Sequence, residues 1–299
     1  MAFVKIETGG CCRRFLIWND MVVTHHHCVE IDELGRQEIG VHHRIPHPEY
    51  NDETDENDIM LLQAGEIFGG QEAEPHSRPY MAFVKIETER KGGGMCGGFL
   101  IRDDVVVTAA CCNCNFGTIT VLLGAHNISV HEPGIMQEIQ VRHRISHPQY
   151  NDETDENDIM LLQLRCKANL TETVDTILLP RNKVKLGAVC SVAGWGQTSS
   201  KVNAQSSQTL QEVELTVMSK DICLSRPYLR YDPSVMLCVG DPKERRASFQ
   251  GDSGGPLVCK GKAQGIVSHG SADGSPPRLF TKVFKYVSWI KKTLRKLKP

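Results

Sequence analysis

The stretch that most constrains this chain is Gly251-Asp252-Ser253-Gly254-Gly255-Pro256, followed closely by Cys259. A serine set between Gly-Asp and Gly-Gly suits a nucleophile on a tight backbone turn, because glycine adopts conformations that other residues avoid. On such a turn the amides of Gly251 and Ser253 can converge on one point and stabilise a carbonyl oxygen as it becomes an anion. A hydroxyl used in this way needs a base, an acid to orient the base, and a pocket for substrate. The rest of the chain can be searched for each of them.

The surrounding text reads as strands. Val105-Val106-Val107 has strand composition, and Val213-Glu214-Leu215-Thr216-Val217 alternates strictly between apolar and polar positions. Short runs separated by turn residues point to an all-β chain of two antiparallel barrels rather than a parallel sheet wrapped by helices. One helix is predicted, over Phe284–Lys298. Val287, Ile290 and Leu294 fall on one of its faces, and Lys291, Lys292, Arg295 and Lys296 make it basic. No run approaches the length needed to span a membrane, and neither a nucleic-acid partner nor a cofactor is expected.

An internal repeat divides the chain. Met1–Glu7 recurs as Met81–Glu87, and Tyr50–Gln63 recurs as Tyr150–Gln163, so the offset grows from 80 to 100 residues. The text that the first copy lacks corresponds to Asn115–Val130, which contains the alternating run Thr118–Leu123 (TITVLL). A half-domain without a core strand exposes unpaired edges, so residues 1–63 are not expected to fold as an independent domain. The net charge of -2 hides a matching asymmetry: residues 1–66 carry 5 Lys/Arg against 13 Asp/Glu, and residues 67–299 carry 29 against 23.

Twelve cysteines point to an oxidising compartment. Met1–Ile6, however, is not followed by the apolar core of a signal peptide. Cys11, Cys12, His25, His26, His27 and Cys28, with His42 and His43 nearby, invite a zinc reading. The spacing is not that of a finger or ribbon, and neighbouring residues on a strand point to opposite faces. We therefore expect no metal.

The hexapeptide resembles the nucleophile loop of the chymotrypsin-like (trypsin-type) serine proteases. Ile67-Phe68-Gly69-Gly70 is similar to the mature start of these enzymes, and Gly65-Glu66 before it to the propeptide dipeptide of granzymes and mast-cell proteases. Pro75–Ala82 and Cys96–Asp104 carry further granzyme-like text, most like the granzyme B type, and the likeness runs from Ile67 to about Pro299. The resemblance implies a protease domain at 67–299, with barrel one at about 67–180, barrel two at about 187–283 and the helix after them. Residues 1–66 are then a truncated duplicate of the segment 81–163 with an Ala-Gly-Glu junction.

It also implies roles. A freed α-ammonium at Ile67 would turn inward and pair with Asp252. Asp158, in Asn157-Asp158-Ile159-Met160-Leu161-Leu162, would be the triad acid. Disulfides would join Cys96 to Cys112, Cys190 to Cys259 and Cys223 to Cys238, which leaves Cys11, Cys12, Cys28, Cys111, Cys114 and Cys166 without family partners. Ala247, Ser268 and Gly270 would line the specificity pocket. Arg278, after Pro276-Pro277, would project into it and select Asp before the scissile bond, with His269 replacing the usual aromatic residue. Asn127-Ile128-Ser129 and Asn169-Leu170-Thr171 are glycosylation sequons consistent with secretion, or with storage in a secretory or cytotoxic granule. Protein or peptide substrates containing Asp, serpin-type inhibitors and proteoglycan at the basic helix are the partners implied.

One position departs from the family. Its catalytic His sits in Thr-Ala-Ala-His-Cys, whereas this chain reads Thr108-Ala109-Ala110-Cys111-Cys112. Asn113-Cys114 is an alternative match, and neither alignment supplies a His. A thiol has no second nitrogen for Asp158 to orient, and a nearby carboxylate raises its pKa. The first copy keeps Asp58 and a His27-Cys28 pair after Thr24. Three readings remain open at this level: an Asp-selecting endopeptidase with impaired turnover, an inactive relative that binds acidic peptides, proteoglycan or inhibitors, and the translation of a decayed or misjoined gene.

Overall fold

The structure, a computed structural model, describes residues 70–87, 93–113, 117–197, 205–226, 229–244, 246–248, 250–271 and 274–297, and the backbone of four short strands before them. Ile67, Cys11, Cys12, Cys28, Cys114 and the zinc reading at His25-His26-His27 lie outside the described residues. The four early strands are β1 (Phe15–Trp18), β2 (Met21–Thr24), β3 (Val41–Pro46) and β4 (Met60–Ala64). They pair antiparallel in the order β1-β2-β4-β3.

After the two-residue β5 (Gln71–Glu72) come β6 (Met81–Glu87), β7 (Gly94–Arg102), β8 (Val105–Thr108), β9 (Thr118–Leu123), β10 (Gln137–Ser146) and β11 (Met160–Leu164). The last six form a closed barrel in the order β10-β11-β8-β7-β6-β9. Closure depends on β9, which pairs with β6 along one edge and β10 along the other. Its Ile119, Val121 and Leu123 are buried, as the alternation of that run predicts. At about 1.5–3 kcal/mol for each fully buried apolar side chain, these three residues contribute on the scale of a domain's whole net stability, about 5–15 kcal/mol.

The second half supplies β12 (Val189–Gly194), β13 (Gln211–Thr216), β14 (Met236–Val239), β15 (Pro256–Cys259), β16 (Lys262–Gly270) and β17 (Arg278–Lys282). With β5 they form a seven-stranded sheet in the order β14-β17-β16-β15-β12-β13-β5. Its ends meet. Val217 bridges to Val239, and the amides of Gly240 and Met218 reach the Thr216 and Cys238 carbonyls at 2.8 Å each. Six strands therefore curl into a second barrel, and β5 attaches to the outside of β13. The fold is the chymotrypsin-like pair of barrels.

Between the barrels, Trp195 meets Phe83 edge to face at 5.7 Å, and its indole nitrogen donates to the His126 carbonyl at 3.0 Å. The short helix α1 (Lys220–Leu224) is capped by Ser219 and carries Cys223. The C-terminal helix α2 spans Val283–Lys296, not Phe284–Lys298. Its buried face is Val283, Tyr286 and Ile290, with Val287 only half-buried. Tyr286 and Trp289 pack on His147 at 5.2 and 5.0 Å, and Ile290 and Leu294 join the core cluster of the first barrel. Disulfides join Cys96 to Cys112, Cys190 to Cys259 and Cys223 to Cys238. Cys111 and Cys166 are free and exposed.

Candidate active site

The two barrels bring the candidate residues together along their seam. Asp158 precedes β11 and is fully buried. One carboxylate oxygen accepts the Cys111 amide at 2.9 Å, and the other accepts the Ser268 hydroxyl at 2.6 Å. Its backbone carbonyl accepts from Thr281 at 2.9 Å, and the neighbouring Asn157 side chain accepts from Tyr286 at 2.9 Å. Strand β17 and helix α2 thus both hold the segment. Burial pushes the Asp158 carboxyl above its ordinary range, while the hydrogen bonds from Ser268 and the Cys111 amide work against that rise.

Cys111 lies in the short 3₁₀ turn Ala110–Cys112 that follows β8. Its partner in the turn, Cys112, is tied to β7 by the disulfide to Cys96. The Cys111 residue keeps an open side to solvent, but protein surrounds the rest of it. That loss of water pushes its thiol well above the ordinary range, and the carboxylates of Asp158 and Asp155 add to the shift. The sulfur is therefore a protonated thiol at neutral pH. Burial, and then the same Asp158 charge, also raise the Tyr150 hydroxyl, which stays protonated.

Ser253 sits on the turn that the hexapeptide predicts. Gly251 has φ +95°, and a Cβ there would fall 2.9 Å from the Gly196 Cα, so the turn requires glycine. The Ser253 carbonyl accepts the Gly97 amide at 2.8 Å. A Cβ at Gly97 would stand 2.9 Å from the Gly255 nitrogen, so the strand and the loop touch backbone to backbone. Asp252 is fully buried and accepts the Gly196 amide at 2.9 Å. The Ser253 hydroxyl donates to the Ser268 carbonyl at 3.3 Å. Among the described residues no histidine hydrogen-bonds that hydroxyl.

Ser268, expected from the sequence to line the pocket entrance, donates its hydroxyl to Asp158 and presents its carbonyl to Ser253. His269 follows it, with Nδ1 3.1 Å from the Ser268 hydroxyl and Nε2 3.1 Å from the Leu229 carbonyl; Asp155 is 3.7 Å away. The sequence offered no sign of this Ser268 link, because strand alternation tells which face a side chain takes and not what it meets there. Ala247 and Ser248 are fully buried, and the Ser248 hydroxyl finds no hydrogen-bond partner among the described residues. Arg278 is 7% exposed and donates to the Ser271 carbonyl at 2.6 Å. Its side chain lies over Gly270, where a Cβ would come within 2.7 Å of Nε. Asn169 is exposed, and the Asn127 carboxamide oxygen accepts from the Ser129 hydroxyl at 2.6 Å.

Among the described residues no group of three or more His, Cys, Asp or Glu side chains is placed to hold a metal, and no helix is long and apolar enough to cross a membrane. Comparison with known proteins gives a consistent picture. The family described as Trypsin matches residues 67–290. The chain is similar to human granzyme B, 54% identical over 240 residues that cover 80% of this chain and 95% of that protein. It is also similar to sheep mast cell protease 3, at 52% over 238 residues covering 79% and 92%. The solved structure of GrC superposes with a TM-score of 0.72 at 48% identity, covering 77% of this chain and all of the other.

Proposed function

We propose, from the premise that this chain belongs to the trypsin family and is granzyme-like within it, that residues 67–299 are a serine endopeptidase domain with severely impaired turnover. Proteins are the substrate class of such a domain. In this reading Ser253 is the nucleophile, the Gly251 and Ser253 amides form the oxyanion site, Asp158 is the orienting acid, and Cys111 occupies the place of the base. The observation that carries it is the hydrogen bond from the Cys111 amide to Asp158, which sets a thiol beside the acid where an imidazole is needed.

The chemistry follows from that substitution. When Ser253 attacks a carbonyl its proton must leave, and the departing amine must then gain one. A thiol held protonated by burial and by two carboxylates is a poor acceptor, and Asp158 is engaged by Cys111 and Ser268 rather than by a base. What remains is binding and oxyanion stabilisation, which in a serine protease stripped of its triad still give about 10³–10⁴ over water. Protein starting at Ile67 should therefore cleave peptides barely above background, and Cys111→His should raise its rate by roughly 10³-fold or more. Peptide hydrolysis with Ser253→Ala as the blank measures this. Equal Ser253-dependent rates with and without the substitution would overturn the reading.

Specificity for Asp before the scissile bond rests on Arg278, whose burial over Gly270 suits a cation presented to a substrate carboxylate. In the Cys111→His background, Arg278→Gly should reduce the preference for Asp about ten- to hundredfold, the worth of a charge-assisted hydrogen bond. An unchanged cleavage profile would remove Arg278 from the pocket. Activation by a new terminus at Ile67 is part of the same reading, supported by the buried Asp252 against Gly196. So are secretion or granule storage, glycans at Asn127 and Asn169, serpin-type inhibitors, and proteoglycan at the basic end of α2. If turnover is absent altogether, the intact frame favours a binding role for acidic peptides.

A further inference from the structure

Beside the core of the second barrel, and lined by no residue of the Ser253 turn, lies a groove of about 630 Å³. Its size is that of a site for a small organic ligand, about 300–1,000 Å³, and none of the candidate active-site residues lines it. Val184, Leu186, Val217 and Phe284 give it an apolar surface. Leu186 is 69% exposed and Phe284 36%, so two large apolar side chains face water at its margin. Four lysines border the same groove: Lys183, Lys220, Lys282 and Lys285.

No Asp or Glu lines it, and among the described residues none of the four lysines has a carboxylate within ion-pair distance. Two carboxylates adjoin lining residues in the chain, and each carries local hydrogen bonds. Asp221 accepts the Ser219 hydroxyl at 2.8 Å, and Asp232 accepts the Ser234 amide at 2.7 Å and its hydroxyl at 2.8 Å. Lys282 donates to the Pro233 carbonyl. Burial lowers its pKa first, Lys183 and Lys285 push in the same direction, and Asp232 opposes them. Lys183 and Lys285 are thus close enough to Lys282 to disfavour its charge, and an anion placed among the three would relieve that repulsion. Gln264 adds a lining side chain whose Oε1 is closed to water and has no partner among the described residues. A half-turn of its amide would offer a donor at that point.

A bare polyanion would use the lysines and leave the apolar wall wet. A neutral hydrophobe would use the wall and leave the cations crowded. We propose that this groove binds a small anionic amphiphile, with its carboxylate or phosphate head among Lys183, Lys282 and Lys285 and its flexible apolar tail along Val184, Leu186, Val217 and Phe284. Such a site is independent of whether Ser253 turns over substrate.

Calorimetric titration of the full chain with dodecanoate, kept below its micelle concentration, tests this. One saturable site is expected, with dodecanol and butyrate each binding at least about tenfold more weakly. The double substitution Lys183→Gln/Lys285→Gln should weaken dodecanoate about tenfold or more, the worth of a hydrogen bond to a charged group. Lys183→Gln alone, on an exposed loop, serves where the double variant does not fold. Dodecanol binding as tightly as dodecanoate, or undiminished binding by the lysine variants, would overturn the proposal. So would displacement of dodecanoate by a sulfated tetrasaccharide of equal affinity, which would make the groove a patch for polyanions.

Discussion

Strands β1, β2, β4 and β3 repeat β7, β8, β11 and β10 of the first barrel, in the same order and the same register. Met21 pairs with Gln63 as Val105 pairs with Gln163, and Thr24 with Met60 as Thr108 with Met160. Even the register shift between Val41 and His43 recurs between Val141 and His143. Strand pairing is therefore carried by these local sequences themselves, since it reappears in a second sequence context. What differs is closure. Among the described residues β1 and β3 are open edges, while their counterparts β7 and β10 are covered by β6 and β9. Four strands suffice for register, and it takes the closing pair to bury both ends of the sheet.

The most severe way to break that contrast is to make the barrel resemble the copy. Deleting Thr118–Leu123 from protein starting at Ile67 removes three buried apolar side chains and opens both β6 and β10. The cost is comparable with total stability, about 5–15 kcal/mol, so the deleted protein should lose its cooperative thermal transition. Residues 1–66 expressed alone should lack one from the start. A sigmoidal, reversible unfolding curve from residues 1–66 by circular dichroism would show that the four-stranded sheet is a domain in its own right.

A smaller effect sharpens the comparison at the loop. Position by position, the copy reads Arg13-Arg14 where the barrel reads Gly97-Gly98. The barrel needs glycine at 97 because a Cβ there would press on the Gly255 backbone at 2.9–3.0 Å, and backbone cannot swing aside. Gly97→Ala should therefore destabilise by about 1–3 kcal/mol, a fall in melting temperature of roughly 2–12 °C for a domain of this size. It should also lower the Cys111→His activity by shifting Ser253. An unchanged melting temperature would mean that the nucleophile loop adapts freely to the strand.

How far the sequence could be read depends on which contacts are local. The run Thr118–Leu123 and the alternation of Val213–Val217 specify which side chains face a core, and both are strands with that burial. The hexapeptide was legible because a left-handed Gly251 leaves few alternatives. On α2 the expected Ile290 is fully buried and Leu294 packs on the core, but Tyr286 rather than Val287 is buried beside them, and its partner His147 lies more than a hundred residues away in the chain. The bond from Ser268 to Asp158 and the lysine groove were hidden for the same reason. Each joins residues from strands and loops far apart in sequence, and no periodicity encodes such a meeting.

The smallest effect concerns the position at which the copy and the barrel exchange residues, His27 in the one and Cys111 in the other. Burial, then Asp158 and Asp155, raise the folded-state pKa of the Cys111 thiol well above the value it has in an unfolded chain. Between those two values the folded protein holds this proton and the unfolded chain releases it. The contribution to stability is thus fully present below the unfolded thiol's pKa, about 8.5, and falls as pH rises toward the folded value. Urea unfolding of protein starting at Ile67 should show a declining midpoint above about pH 8.5. Cys111→Ser should flatten part of that decline while leaving the midpoint at pH 7 nearly unchanged. Alkylation by iodoacetamide gives the same answer from the side of reactivity: the rise in rate at Cys111 should come later than for a free thiol, and Asp158→Asn should bring it to lower pH. A Cys111 that alkylates at neutral pH as fast as a free thiol would mean that the carboxylates do not govern it, and a thiolate base for Ser253 would then have to be considered.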